Sequence, residues 1–125
     1  MSESGYPREC RLTSSADYER VYAQRQRFSD ARLLMYAAVG PVEMTRAGFS
    51  VSRKHGTSVV RHRLKRLLRE AFRLSRAEMP TGLDLVVIPQ AGAVATMQEY
   101  CWSLSRLAQK AARRLKPEGD GAPTP

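Results

Sequence analysis

The sequence predicts an α+β domain, a small α/β sandwich in which helices cover one sheet. Apolar residues recur at helical spacing in three segments, and short β-rich segments lie between them. These segments follow one another as helix, two or three strands, helix, strand, helix, without an internal repeat, which we take as αβββαβα. At 125 residues, 42% hydrophobic and 26% charged, the chain suits one domain with a true core.

Each element has its own local reason. Residues 1–10 are expected to be a flexible arm, and the domain is expected over 11–115. Thr13, Ser14 and Ser15 offer helix caps, and Asp17 sits in the first turn where the helix dipole favours an acid. A helix from about Ser15 to Gln26 then places Tyr18, Val21 and Tyr22 on one side. Ala31 to Val39 (ARLLMYAAV) is too apolar for a loop, fits a strand with both faces partly covered, and stops at Gly40-Pro41. Ala47 to Ser52 (AGFSVS) alternates Phe49 and Val51 inward with Ser50 and Ser52 outward, a second strand. A helix follows the Gly56-Thr57-Ser58 start and runs until Met79-Pro80-Thr81-Gly82. Leu83 to Ile88 (LDLVVI) is the strongest strand signal, ended by Pro89 and Gly92. Thr96 and Glu99 form a capping box opening a helix with Tyr100, Leu104, Leu107, Ala108 and Ala111 on one stripe. Residues 116–125, KPEGDGAPTP, are expected to be a disordered tail.

The charge is concentrated. The whole chain carries 21 bases and 12 acids, a net +9, and residues 46–76 alone hold ten bases against Glu70. The remaining 11 bases and 11 acids cancel. Such a footprint marks a surface that binds a polyanion. No apolar run is long enough to cross a bilayer, so no membrane role is expected. The N-terminus has acids and no apolar signal region, which predicts a cytoplasmic protein. Cys10 and Cys101 match no metal-ligand spacing; two idle thiols are favoured over a disulfide.

On a helical wheel, Val60, Leu64, Leu67, Leu68, Ala71 and Phe72 fall in one arc. His62, Lys65, Arg66, Arg69, Arg73 and Arg76 fall opposite, with Arg61 and Arg63 at the margins. A solvated face is the common fate of helix charges, yet acids are almost absent at i±3 or i±4 here. Arg61 and Arg63 also crowd the positive end of the helix dipole, which stability alone disfavours. The pattern therefore predicts a nucleic-acid face. No zinc-finger, helix-turn-helix or basic-zipper spacing is present, which points away from sequence-specific DNA reading. Tyr18, Tyr22, Tyr36 and Phe28 are candidates to stack on unpaired bases, with core packing the competing reading of the same spacing.

GFSVSRKHGTSVVRHRLKRLLREAFR, residues 48–73, resembles the signature of the bacterial ribonuclease P protein component. The similarity extends upstream through RLTSSADYERVYAQ and downstream through LDLVVI and the last helix, over roughly residues 8–115. The resemblance implies a left-handed βαβ crossover, as in the second domain of ribosomal protein S5. It implies a protein subunit that assists a catalytic RNA in removing the 5′ leader of precursor tRNA, as one protein copy per RNA. The RNA would do the chemistry with Mg²⁺ bound mainly by RNA and substrate, and any metal site on the protein is left open. By the same resemblance Arg53, Lys54, Arg61, His62, Arg63, Lys65, Arg66, Arg69 and Arg73 would contact the catalytic RNA. Tyr18, Tyr22, Tyr36, Ser50 and Ser52 would contact the leader. His62 stands where the family usually has Asn, and Pro89-Gln90-Ala91 lacks a basic residue common after that strand.

The residues agree with a non-catalytic protein. The sequence has no Ser-His-Asp grouping, no HExxH and no carboxylate cluster suited to two metals. The rival reading is a ribosomal protein or RNA chaperone with the same kind of basic helix.

Overall fold

Capping residues written into the sequence set where each helix begins. The computed structural model describes residues 10–92 and 95–116. Helix α1 spans Ser15–Ala23, and the Ser14 hydroxyl accepts the Asp17 N–H at 3.1 Å. Strands β1 (Arg27–Ser29), β2 (Leu33–Val39) and β3 (Arg46–Phe49) follow. Helix α2 spans Ser58–Ser75, capped by Thr57, then β4 covers Leu83–Pro89. Helix α3 spans Met97–Leu115 and opens on the Thr96–Glu99 capping box, with both reciprocal bonds formed. The order αβββαβα matches the sequence reading.

The sheet runs β1-β2-β4-β3. Antiparallel pairing joins β1 to β2 and β2 to β4, whereas β3 and β4 run parallel and α2 makes the crossover between them. One face packs on α2 and α3: Leu33, Met35, Ala37, Ala47, Phe49, Leu83, Leu85 and Val87 meet Leu68, Phe72, Tyr100, Leu104 and Leu107. The other face carries Ala38 and Val86 and is covered by α1 through Val21, with Leu12 beside it. Because β4 is covered on both sides, it reads as a continuous apolar run rather than an alternating one.

Several boundaries differ from the sequence reading. Helix α1 stops at Ala23, three residues early, and the chain turns through Arg25 at φ 56°. Strand β3 begins one residue early and ends at Phe49, although the Ser50 N–H still donates to Val87 O at 2.9 Å. Beyond it, His55 Nδ1 accepts the Ser52 N–H at 2.9 Å and Nε2 meets Pro89 O at 2.7 Å, so the chain leaves the ladder in a 3₁₀ turn, Arg53–His55. Val60, expected in the core stripe, is 41% exposed; its side chain packs against the loop glycine Gly56, and the buried stripe begins at Leu64. Strand β1 fills the third strand place in the αβββαβα order, to which the sequence reading assigned no segment. Cys10, assigned to the arm, is fully buried, and no disulfide joins Cys10 and Cys101. The rest of the arm and residues 117–125 lie outside the described residues.

One carboxylate ties α1, β3 and β4 together. Asp84 of β4 is fully buried, with Arg46 donating from Nε and Nη2 at 3.0 and 2.7 Å and Arg20 of α1 donating to the same group. Asp17 completes the cluster, accepting from Arg20 at 3.0 Å and lying 3.6 Å from Arg46. Position 40 must be glycine for this packing, since a Cβ there would lie 2.6 Å from Asp84 Oδ1. On α1, at 100° per residue, Arg20 and Tyr22 flank the buried Val21 on opposite sides. The ion-pair seam therefore also sets how Tyr22 is presented.

Two outcomes follow from this seam. Asp84→Ala leaves two guanidinium groups facing one another and should cost about 3–5 kcal/mol of stability in urea unfolding; an unchanged midpoint would show that the cluster does not hold α1. The hydrogen bond from Arg20, aided by Ser14 and Arg46, holds the Asp17 carboxyl below the usual carboxylate range. A group whose pKa is lowered by folding adds stability above its unfolded value, near 4, and loses it as pH falls through the folded value. Asp17→Asn should flatten the acid limb of the unfolding curve below about pH 4, measured by circular dichroism.

Candidate nucleic-acid interface

Helix α2 displays its cations as a ridge. His62, Arg63, Arg66 and Arg69 are exposed; the last three recur every third residue, about 4.5 Å apart along the axis. Arg61 and Lys65 are half-buried at the margins, and Arg61 Nε donates to Gly56 O at 3.2 Å. Arg53 and Lys54 stand exposed on the 3₁₀ turn just before the helix. Arg73 differs from its neighbours because it pairs with Glu70, whose carboxyl it holds below the usual range. Among the described residues Arg61, Arg63, Lys65, Arg66 and Arg69 are in no ion pair. Bare cations on a rigid, docked helix suit a phosphate backbone.

On the α1 side of the sheet a second group forms. Tyr22 of α1 and Tyr36 of β2 meet edge-to-face, centroids 4.9 Å apart and planes at 77°. Tyr22 is 36% exposed, so the pair stands partly open to a ligand. Tyr18, one turn earlier, is half-buried and leans over Gly48, where a Cβ would lie 2.2 Å from its hydroxyl. Burial raises the Tyr18 phenol above its ordinary pKa, while the charge of Arg69 opposes the rise. Gly48 belongs to β3, the edge strand that leads into α2, so the α2 ridge and the tyrosine cleft adjoin the same edge of the sheet. Ser50 lies half-buried just past β3, and Ser52 is exposed but bonded into the turn with His55.

Phe28 is not part of the cleft. It is buried to 8% exposure on the opposite side of the sheet, with the Arg114 guanidinium over its ring at 5.2 Å. Residue alternation in the three-residue β1 turns Phe28 toward α3 and turns its neighbour Arg27, directly opposite Tyr36 in the β1–β2 register, to the cleft side. Sequence reasoning missed Arg27 and Gly48. The glycine in AGFSVS was the available signal, since a strand glycine often marks a close approach.

Comparison with known proteins decides the assignment. The Ribonuclease P family matches residues 6–112. The chain belongs to the ribonuclease P protein family. The ribonuclease P protein component of Lachnoclostridium phytofermentans is 40% identical over 92 residues, 74% of this chain and 73% of that one. That of Oleidesulfovibrio alaskensis is 42% identical over 85 residues, 66% and 68% of the two chains. The Staphylococcus aureus RNase P protein structure superposes with a TM-score of 0.70 at 27% identity, covering 82% of this chain and 94% of that one. The Thermotoga maritima RNase P protein shares the fold, with a TM-score of 0.66 at 24% identity over 85% and 97%. The chain is thus a protein component of an endoribonuclease that partners the ribonuclease P RNA. Among the described residues no helix is long and apolar enough to cross a membrane.

The close approach at Gly48 is testable. Gly48→Ala should displace Tyr18 and cost about 1–3 kcal/mol in urea unfolding, the usual range for overpacking. In the Tyr18→Ala background the same change should cost markedly less, a coupling that a double-mutant cycle measures. Additive costs would show that the two residues do not press on one another.

Proposed function

We propose that the α2 ridge with Arg53 and Lys54 binds the catalytic RNA, while the tyrosine cleft receives the 5′ leader of precursor tRNA. The observation that carries this reading is that Tyr18 packs over Gly48 of β3, the edge strand from which the chain passes through Arg53 and Lys54 into α2, so the cationic ridge and the aromatic cleft share one sheet edge. An RNA bound on α2 therefore lies beside a cleft able to take an unpaired strand. Stacking on an aromatic ring needs no particular base, which suits leaders of varied sequence. Ser50 and Ser52 would supply hydroxyl contacts, and Arg73, neutralised by Glu70, would contribute less than Arg63 or Arg66. His62, exposed on the ridge, can donate one hydrogen bond to RNA as Asn would.

The protein's part is binding and orientation of a charged substrate. Cations on the ridge lower the repulsion between two RNAs, and the cleft fixes the leader so that the scissile bond meets the RNA's reactive groups. Mg²⁺ would be held by RNA and substrate; among the described residues no group of three or more His, Cys, Asp or Glu gathers to hold an ion. A single protein copy per RNA, acting in the cytoplasm, completes the reading.

Arg63→Glu with Arg66→Glu should abolish binding to the catalytic RNA in a filter assay, without loss of fold by circular dichroism. Wild-type affinity should fall with salt at a log–log slope of roughly −0.7 to −0.9 per phosphate contact. Retained affinity in the double variant would refute the ridge as the RNA contact. Tyr22→Ala should weaken precursor tRNA binding by about 1–3 kcal/mol and leave mature tRNA unaffected. Equal losses for both would assign the tyrosine to the fold alone. Stimulation of precursor cleavage by the catalytic RNA at low Mg²⁺ separates this function from that of a general RNA chaperone.

A further inference from the structure

A second cationic surface lies at the opposite edge of the sheet from α2. Between β1 and the C-terminal half of α3 is a cavity of about 520 Å³, lined by Arg27, Phe28, Ser29, Lys110, Arg113 and Arg114. Four of the six lining residues are basic and none is acidic. Among the described residues none of the four is in an ion pair. Arg114 is ordered by Phe28 beneath it and by Gln26 Oε1 at 3.4 Å. The helix dipole accounts for cations in the last turn of α3, but not for Arg27, which comes from a strand.

The same edge carries the chain's one tryptophan. Trp102 is 53% exposed, with the Arg32 and Arg106 guanidinium groups 5.5 and 4.7 Å from its ring centre. Trp102, Arg106, Lys110 and Arg113 follow one stripe of α3, at spacings of four, four and three residues. From Trp102 to Lys110 the axial rise is about 12 Å. Arg32 is paired with Glu99 at 3.9 Å, whereas Arg106, Lys110 and Arg113 are in no ion pair among the described residues. An exposed aromatic ring beside such cations is the composition of a single-strand nucleic-acid track.

Continuity says which strand. Arg27 pairs in register with Tyr36, so its side chain leaves β1 on the cleft side of the sheet, and it also lines the cavity. Three strand spacings, about 14 Å, separate this edge from the β3 edge at the other end of the sheet. A strand lying in the tyrosine cleft therefore meets Arg27 next as it leaves the sheet. We infer that the leader's track continues over Arg27 into the β1–α3 cavity and along α3 toward Trp102, where phosphates of its more distal nucleotides are held. This rests on the cleft reading proposed above and adds a leader-length dependence to it.

The test uses the protein assembled with its catalytic RNA and precursor tRNAs with leaders of about 3 and about 12 nucleotides, the longer within the span of known single-strand sites. Lys110→Gln with Arg113→Gln should raise the dissociation constant for the long leader about tenfold and leave that for the short leader unchanged. Unchanged thermal melting shows that the variant is folded. In the wild type, Trp102 emission should change on binding the long leader and not the short one. Equal losses for both leaders would assign this surface to the catalytic RNA and overturn the inference, as would no loss at all or identical Trp102 responses. Tyr22→Ala separates the two claims. If it weakens the short leader while Lys110→Gln with Arg113→Gln does nothing, the track alone falls; if Tyr22→Ala has no effect, the cleft reading falls and the track with it.

Discussion

The buried carboxylate of Asp84 is the constraint on which the arrangement turns. It sits in the middle of the sheet, on a face otherwise built from Ala38, Val86 and Val21. Removing a carboxylate from water costs several kcal/mol, and only close, well-directed partners offset that cost. Arg46 supplies a two-pronged contact from the neighbouring strand, and Arg20 a further one from the helix above. An apolar contact would let α1 slide; charge-assisted bonds with fixed directions do not. Helix α1 is short, nine residues with only Val21 fully buried, so packing alone gives it a weak hold. The ion-pair seam sets its angle, and the angle presents Tyr18 and Tyr22 over Gly48 and Tyr36.

The two faces of the sheet divide the labour. The α2–α3 face holds most of the core and makes α2 a rigid bar, its leucines docked and its arginines outward. The α1 face is thinly covered and leaves room beside the tyrosines. Function collects at the margins of the well-packed layer, where side chains are held from one side and open on the other. The edge strand β3 joins the two, with Tyr18 packed over its Gly48 and the turn into α2 beginning just beyond it.

Much of this was legible in the sequence, for physical reasons that differ by element. Helix α2 announced itself because burial and charge display impose the same 3.6-residue period on opposite arcs. Strand β4 was legible because cover on both faces demands an unbroken apolar run. Strand β1 was not: three residues show no periodicity, and Phe28 could be assigned to either face until its partner strand was known. The Asp84 cluster was hidden because Arg20 lies 64 residues away in the chain and Arg46 38, and ion pairs leave no local pattern. Within LDLVVI nothing local distinguishes a buried aspartate from a solvent-facing one. Trp102 and its basic stripe escaped notice for another reason: α3's apolar stripe explained the helix fully, and the opposite arc looked like ordinary solvated surface.

The strand order has a bearing on how the chain acquires its shape. Both β2 and β3 pair with β4 and not with each other. During synthesis neither finds this shared partner until residues 83–89 have emerged. Up to that point only the β1–β2 hairpin can close, and an isolated hairpin is marginal in water. The same late segment brings Asp84, so Arg20 and Arg46 wait without their carboxylate, and α1 waits with them. Folding is thereby concentrated into one late event, the insertion of a central strand, with two strand edges bare beforehand. A ribosome-bound chain stopped before Leu83 would hold the whole cationic helix without the central strand that joins the framework aiming it.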